Sequence, residues 1–361
     1  MKKNKKIGIY FHWPFCKSKC PYCDFYKKIK RDINQEYIID SYIQDLDFYK
    51  DFLSSEHQVC SVFFGGGTPS LIEPKLIEKL LNHISKNFPI TKSPEVSLEA
   101  NPNTDRKNLF SDLKSAGINR LSLGVQSFDD DELRFLGRTH NTKQALTAID
   151  EILHNFSNHS IDLIYALPAQ TKDTWQKTLK FVANLGIKHI SLYQLTIEDG
   201  TVFQKKGIHT LPEDEAAELY IITEDYLKTK GYNKYEVSNF ALSGFESIHN
   251  LLYWQGDDYI GIGESAHGRI GMKATEYHRR ILELKPDERA QELIIMGLRL
   301  VQGIDKQKFF EICGIKFDDF INRNFLQKAV HQKLIIDSET NIKATKKGFL
   351  ILNYLIENLC L

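Results

Sequence analysis

The sequence predicts an α/β fold with parallel strands, arranged as a complete or partial barrel or as an open doubly wound sheet. Two observations predict it. Six short β-rich runs alternate with amphipathic helical stretches, and the residues with chemical potential sit just after those runs. The strand candidates are residues 7–12, 59–64, 95–99, 120–125, 160–166 and 189–195, each rich in β-branched or aromatic residues and bounded by Gly, Pro or Asn. Helical periodicity covers 35–53, 74–87, 105–116, 142–155 and 171–185, with Gly117 and Gly186 where helices would end. Repeated strand–helix units imply parallel strands joined by right-handed crossovers. In a barrel the chemistry gathers at the C-terminal strand ends. The cysteines, Gly65–Pro69, Glu99–Pro102, Gln126 and Pro168 all fall there, which favours the barrel.

Beyond about residue 200 the texture changes. Residues 212–231 read as a helix, 232–280 as loop-like and rich in Gly, Tyr and His, and 286–301 as a helix again. Residues 306–361 read as short helices with a β-hairpin near 334–343. The division expected is 1–230 for the barrel, 231–285 for a linking region, and 286–361 for a C-terminal module, either winged-helix-like or a plain packing domain.

The composition is that of an ordinary globular chain, 42% hydrophobic and 26% charged over 361 residues. Lys+Arg and Asp+Glu both number 47, so there is no basic excess to indicate nucleic acid. The run Lys2, Lys3, Lys5, Lys6 reads as a solvated basic N-terminus. No stretch approaches the roughly 18–20 apolar residues of a spanning helix. The apolar run 7–11 is too short for a signal peptide and ends in His12, Trp13 and Pro14. A cytoplasmic protein is expected, with peripheral membrane contact left open.

Three of the six cysteines lie within eight residues, as Cys16-x3-Cys20-x2-Cys23, in a loop after the first strand. Scattered Cys60, Cys313 and Cys360 suggest packing rather than a disulfide framework. Three thiolates on one loop can hold a cubane and leave its fourth iron open to a ligand. Trp13, Phe15, Tyr22 and Phe25 would shield it and lower the local dielectric. The other readings are a structural zinc site with His12 or Cys60 as fourth ligand, in a zinc-stabilised binding module, or unliganded thiols. Zinc sites usually pair two C-x2–4-C knuckles, and a second knuckle is missing here.

This motif resembles that of the radical S-adenosylmethionine (SAM) proteins. The rest of the chain resembles one branch of them, the oxygen-independent coproporphyrinogen III oxidases and their HemW-type heme-chaperone relatives. The resemblance implies a radical SAM partial (β/α)6 TIM-like barrel with a smaller, mainly helical C-terminal domain. It also implies a [4Fe-4S] cluster on Cys16, Cys20 and Cys23, with SAM on the open iron. Phe64-Gly-Gly-Gly-Thr68-Pro69 offers close backbone approach and N–H groups, and by resemblance Gly66, Gly67 and Thr68 hold the SAM methionine moiety. Glu99 is an acid at the end of an apolar strand, either a ligand-facing group or a turn cap. Gln126, Arg138 and Asp162 match the family's SAM contacts in order, with Asp162 suited to ribose hydroxyls and Arg138 to the carboxylate. Tyr10 matches a further contact, and Tyr22 is counted with the cofactor residues.

Three features separate the two branches. The oxidases resemble Cys-x3-Cys-x2-Cys-x-Cys, and here Phe25 stands at the fourth position. Oxidases carry a long N-terminal arm, and here fifteen residues precede Cys16. His249-Asn-Leu-Leu-Tyr253-Trp254 matches the chaperones' His-Asn-x-x-Tyr-Trp element, whose histidine is implicated in heme binding. Imidazole is a common heme ligand, and Tyr253 and Trp254 offer flat apolar surface. Taken alone, His249 reads more readily as a turn cap, with the aromatics packing the domain junction. Arg269, Arg279 or Arg280 would meet propionates, while Glu264 and His267 receive no role. The expectation is a chaperone that binds heme as cargo and delivers it to acceptor hemoproteins, often respiratory ones. The family suggests a monomer–dimer change. The alternative is the oxidase, decarboxylating porphyrinogen propionates.

Overall fold

The computed structural model describes residues 5–30, 32–53, 56–103 and 106–360. Lys2 and Lys3 of the basic run, Asp105 at the expected start of a helix, and Leu361 lie outside them. Six strands follow in chain order: β1 (Lys5–Trp13), β2 (His57–Gly66), β3 (Ile90–Ala100), β4 (Arg120–Gln126), β5 (Asn158–Tyr165) and β6 (His189–Gln194). Each pairs in parallel with the next. Between them run α1 (Gln35–Lys50), α2 (Pro74–Asn87), α3 (Leu109–Ser115), α4 (Thr142–Asn155) and α5 (Lys172–Val182); α6 (Glu213–Thr229) follows β6. Local chemistry starts these helices. Asn34 caps α1, Pro74 opens α2, and Asn141 with Gln144 forms a capping box on α4. The strands are buried on both faces, as β1 shows from Ile7 to Trp13, because helices cover one side and the barrel lumen lies on the other.

The segment read as loop-like does not stay a loop. It forms β7 (Asn233–Lys234), β8 (Asn239–Ala241), α7 (Ile248–Trp254), β9 (Asp258–Ile262), β10 (His267–Ile270), β11 (Lys273–Glu276) and β12 (Arg280–Glu283). The sheet order is β12-β11-β10-β9-β1-β2-β3-β4-β5-β6-β8-β7, linear rather than closed. The two edges of the partial barrel are therefore built from one late segment: β8 runs antiparallel to β6, while β9 joins β1 in parallel. Helix α7 packs against β1, β2 and β9 at the base of the lumen.

A second core begins at α8 (Pro286–Gly297), whose Ile294 joins Phe309, Leu355 and Leu359. The expected hairpin is present as antiparallel strands Ile335–Asp337 and Asn341–Ala344. The barrel core is stacked from aromatics: Phe11, wholly buried, lies 4.9 Å from Phe64 and 5.8 Å from Tyr42, centroid to centroid. Replacing Phe11 by Ala should cost about 3–5 kcal/mol of stability. The check is the denaturant midpoint; a loss under about 1 kcal/mol would mean that β1 is not the packing centre.

Candidate functional site

The cysteine loop leaves β1 and is pinched at its base. Phe15–Cys16 pairs in parallel with Lys28–Ile29, and Lys28 N–H donates to Pro14 O at 2.6 Å. Within the loop Cys23 N–H donates to Cys20 O, and Lys27 Nζ caps Cys23 O at 2.6 Å. All three thiols are half-buried and line one cavity of about 680 Å³, which Gly66, Gly67, Thr68, Glu99, Gln126, Arg138 and Asp162 also line. The C-terminal ends of β1 to β5 thus bring nearly all the expected SAM residues to one place.

Hydrogen bonds join the loop to the rim in a chain. Thr68 Oγ1 donates to Cys16 Sγ at 3.5 Å and accepts from Asn101 Nδ2 at 3.4 Å. Asn101 Oδ1 accepts a short bond from Arg138 Nη2, and Arg138 Nη1 reaches Cys20 Sγ and Tyr22 OH, each at 3.5 Å. Burial opposes the charge on Arg138, but Tyr22 and Cys20 outweigh it and hold the guanidinium protonated. Asn101 has no predicted role; its only sequence signal is its place two residues past Glu99.

The glycine run works differently from its sequence reading. Its N–H groups are spent inside the protein: Gly66 on Glu99, Gly67 on Trp13 O at 2.7 Å, Thr68 on Phe15 O at 2.9 Å. What glycine contributes is room. A Cβ on Gly67 would stand 2.7 Å from Phe15 O and 3.0 Å from Cys16 Sγ. Gln126 has φ +69°, a left-handed geometry that costs a non-glycine residue about 1–2 kcal/mol, and this strain sits at the cavity wall.

Deeper in, two carboxyls meet. Burial and then Asp162 push the Glu99 carboxyl up to about 8. Burial also raises Asp162, against the hydrogen bonds from Ser191 and Ser122; the Ser122 hydroxyl lies 2.9 Å from Oδ1. Both acids also line a second recess of about 460 Å³ in the barrel lumen, so the two spaces meet there. Tyr10 lies in this inner recess, not in the cysteine cavity, with its hydroxyl 2.9 Å from His12 Nδ1. Tyr193, absent from the expectations, lines both spaces.

His249 is wholly enclosed. Its Nδ1 is 2.8 Å from Ser61 Oγ, and its Nε2 is in a short bond with Tyr253 OH. Phe63 stacks on the ring at 5.1 Å, and burial pushes its pKa down to about 3, so it is neutral. As arranged it presents no nitrogen to a heme iron. The arginines considered for propionates are paired too: Arg269 with Glu292, Arg279 with Asp45 and Arg280 with Glu276. Glu264, left without a role, ties the cysteine loop to the β9–β10 turn through Lys28 and Tyr26. The alternative fourth zinc ligands are also committed: His12 to Tyr10 and Tyr26 O, and Cys60 to Ile7 O at 3.6 Å. Three unpaired thiols, two of them hydrogen-bonded by Thr68 and Arg138, fit a cubane better than a mononuclear metal.

Between its ordinary value of 4.5 and about 8, folded Glu99 holds a proton that the unfolded chain has released. Stability therefore falls as pH rises through that window and levels off above it. Glu99→Gln should melt a few degrees higher than wild type at pH 8.5 in ligand-free protein and nearly equal it at pH 4.5. Equal melting curves at both ends would place the Glu99 carboxyl in water.

A radical SAM superfamily model matches residues 10–182, and a HemN C-terminal domain model matches residues 284–351. Heme chaperone HemW from Buchnera aphidicola subsp. Acyrthosiphon pisum is 37% identical, over 97% of this chain and 97% of its own. The protein of that name from Lactococcus lactis subsp. lactis is 35% identical, over 99% and 98%. Mouse mitochondrial radical S-adenosyl methionine domain-containing protein 1 is 35% identical, over 97% and 86%. Among solved structures, coproporphyrinogen III oxidase (HemN) from Escherichia coli superposes with a TM-score of 0.81 at 23% identity, covering 98% of this chain and 89% of that one, a likeness of fold. Superfamily membership implies SAM and a [4Fe-4S] cluster, and the full-length relatives settle the branch: the chain belongs to the HemW family of heme chaperones within the radical SAM superfamily.

Proposed function

We propose that this protein binds heme and hands it to acceptor hemoproteins, with a [4Fe-4S] cluster on Cys16, Cys20 and Cys23 and SAM in the cavity beside them. The observation that carries the reading is end-to-end kinship: proteins named heme chaperones match 97% or more of this chain at 35–37% identity. The likeness to the oxidase is one of fold. Phe25 supports the same choice, since it stands 67% exposed where the oxidases resemble a fourth cysteine.

When bound, the cluster supplies an iron site open to the SAM amino and carboxylate groups and a route for one electron. The chain's own residues do the rest. Arg138, fixed by Asn101 and the Gly124 carbonyl, offers its fork to the SAM carboxylate. Asp162 takes ribose hydroxyls, and Glu99 ionises readily beside a cationic ligand that offsets its burial. Gly66, Gly67 and Thr68 form the wall against which the methionine portion lies, with Gln126 and Tyr22 closing the sides. Tyr10 bounds the lumen behind. Respiratory hemoproteins are proposed acceptors, a homodimer the proposed alternative state, and the cytoplasm, where free thiols persist, the proposed location. Among the described residues no helix is long and apolar enough to cross a membrane.

The test is an anaerobic assay of reconstituted protein with coproporphyrinogen III, SAM and reductant, with heme titrated in parallel. Stoichiometric heme binding without protoporphyrinogen is expected; turnover would overturn the reading in favour of the oxidase. In the same preparation, changing Cys16, Cys20 and Cys23 to Ser should abolish bound iron, sulfide and the visible cluster absorbance. Stoichiometric zinc without sulfide in the wild type would make the chain a zinc-stabilised module instead. Arg138→Ala should weaken SAM binding about tenfold or more, read by calorimetry.

A further inference from the structure

Resting on the heme reading above, the structure raises a question of chemistry: which side chain can reach the iron. An axial ligand needs an imidazole nitrogen with an open lone pair, beside flat apolar surface. Of the twelve histidines, His12, His159, His189 and His249 have both ring nitrogens engaged inside the protein. His57 and His83 face Asp258 and Asp47. His140 bonds to Val125 O and is buried. Among the histidines that remain exposed, His267 alone lines a recess that also contains aromatic rings.

His267 opens β10 at the edge of the barrel lumen and carries no ring hydrogen bond among the described residues. The recess it lines measures about 460 Å³, within the roughly 300–1,000 Å³ common for cofactor-sized sites. Phe25 and Tyr26 of the cysteine loop stand over it, 67% and 40% exposed, and Tyr193 of β6 lines it as well. Large aromatic side chains left in water beside an unpartnered imidazole are a costly arrangement for packing alone and a suitable one for a flat ligand. The deep end of the recess carries Glu99 and Asp162, buried acids that offer a carboxylate no counter-charge.

We propose that heme seats in the mouth of the barrel lumen, against Phe25 and Tyr26, with His267 as axial ligand to its iron. Its propionates then point to solvent, away from Glu99 and Asp162. His249, locked between Ser61 and Tyr253, shapes the floor of the lumen and does not ligate.

The experiment titrates ferric heme into the reconstituted full-length protein and follows the Soret band and affinity. His267→Ala, an exposed substitution, should fold normally. It should bind heme at least tenfold more weakly and lose the imidazole-ligated spectrum, and added free imidazole should restore that spectrum. His331→Ala, on the surface of the C-terminal region, should behave as wild type. Tyr253→Phe, which releases His249 Nε2 without emptying the core, should keep the wild-type spectrum. A His267→Ala protein indistinguishable from wild type would overturn the assignment, as would a Tyr253→Phe protein whose spectrum shifts while His267 is intact. A wild type that binds no heme is a different result, and overturns the chaperone reading itself.

Discussion

Two backbone hydrogen bonds hold this site together: Gly67 N–H to the Trp13 carbonyl and Thr68 N–H to the Phe15 carbonyl. They extend the β1–β2 ladder one step beyond its last paired residues, Trp13 and Gly66. That extension brings the end of β2 against the start of the cysteine loop. The approach is so close that a Cβ at Gly66 would stand 2.6 Å from the His12 ring, and one at Gly67 2.7 Å from Phe15 O. Only glycine allows it. Once the backbones meet, the Thr68 hydroxyl reaches Cys16 Sγ, and Thr68, Asn101 and Arg138 hand hydrogen bonds around the rim to Cys20. Hydrogen bonds to cluster sulfurs tune their potential. The strand register thus sets the electrostatics of the thiols as well as their position.

The same register places charge where a polar, cationic ligand would need it. Glu99 on β3 and Asp162 on β5 share one space, and Asp162 disfavours the ionisation of Glu99. Arg138, across the cavity, is kept charged by the phenol and thiol beside it. An acid pair facing a fixed cation makes a cavity with two unlike ends. A zwitterionic ligand with a carboxylate at one end and cationic groups elsewhere fits it in one orientation. The strained backbone at Gln126 belongs to the same economy, because strain persists only where surrounding packing enforces it.

Much of this was legible in the sequence because the barrel repeats. Strands of six to eleven residues, capped helices and Gly-marked ends recur in alternation, and the functional residues fall towards the strand ends that the alternation predicts. The segment from 233 to 283 was not legible, for a physical reason. Its strands run two to five residues, too short for alternation to register, and β9 finds its partner in β1, some 250 residues earlier. Glycine and tyrosine are abundant there, and both suit loops as well as short strands. Gly261 and Gly268 are instead close-packing positions, where a Cβ would collide with the His267 backbone and with Thr275. The glycine run after β2 was legible as a site but not in its mode of action, since the direction of its N–H groups depends on the β1–β2 register.

The His-Asn-x-x-Tyr-Trp element shows how much of a motif's geometry is set by residues outside it. The sequence supplies an imidazole and two aromatics at helical spacing, and i to i+4 puts His249 and Tyr253 on one face of α7. What decides the role comes from elsewhere. Ser61 on β2 takes one ring nitrogen, and Tyr253 takes the other. Glu95 on β3 accepts the N–H groups of both Ile248 and His249, each at 3.1 Å, fixing the first turn of the helix over the lumen. A neutral imidazole with one donor and one acceptor, both matched, is the arrangement a buried histidine needs. The element thereby closes the base of the lumen and leaves the opening at the opposite, cysteine-loop end. On the proposed heme reading, a large flat ligand enters from the side where Phe25, Tyr26 and His267 stand.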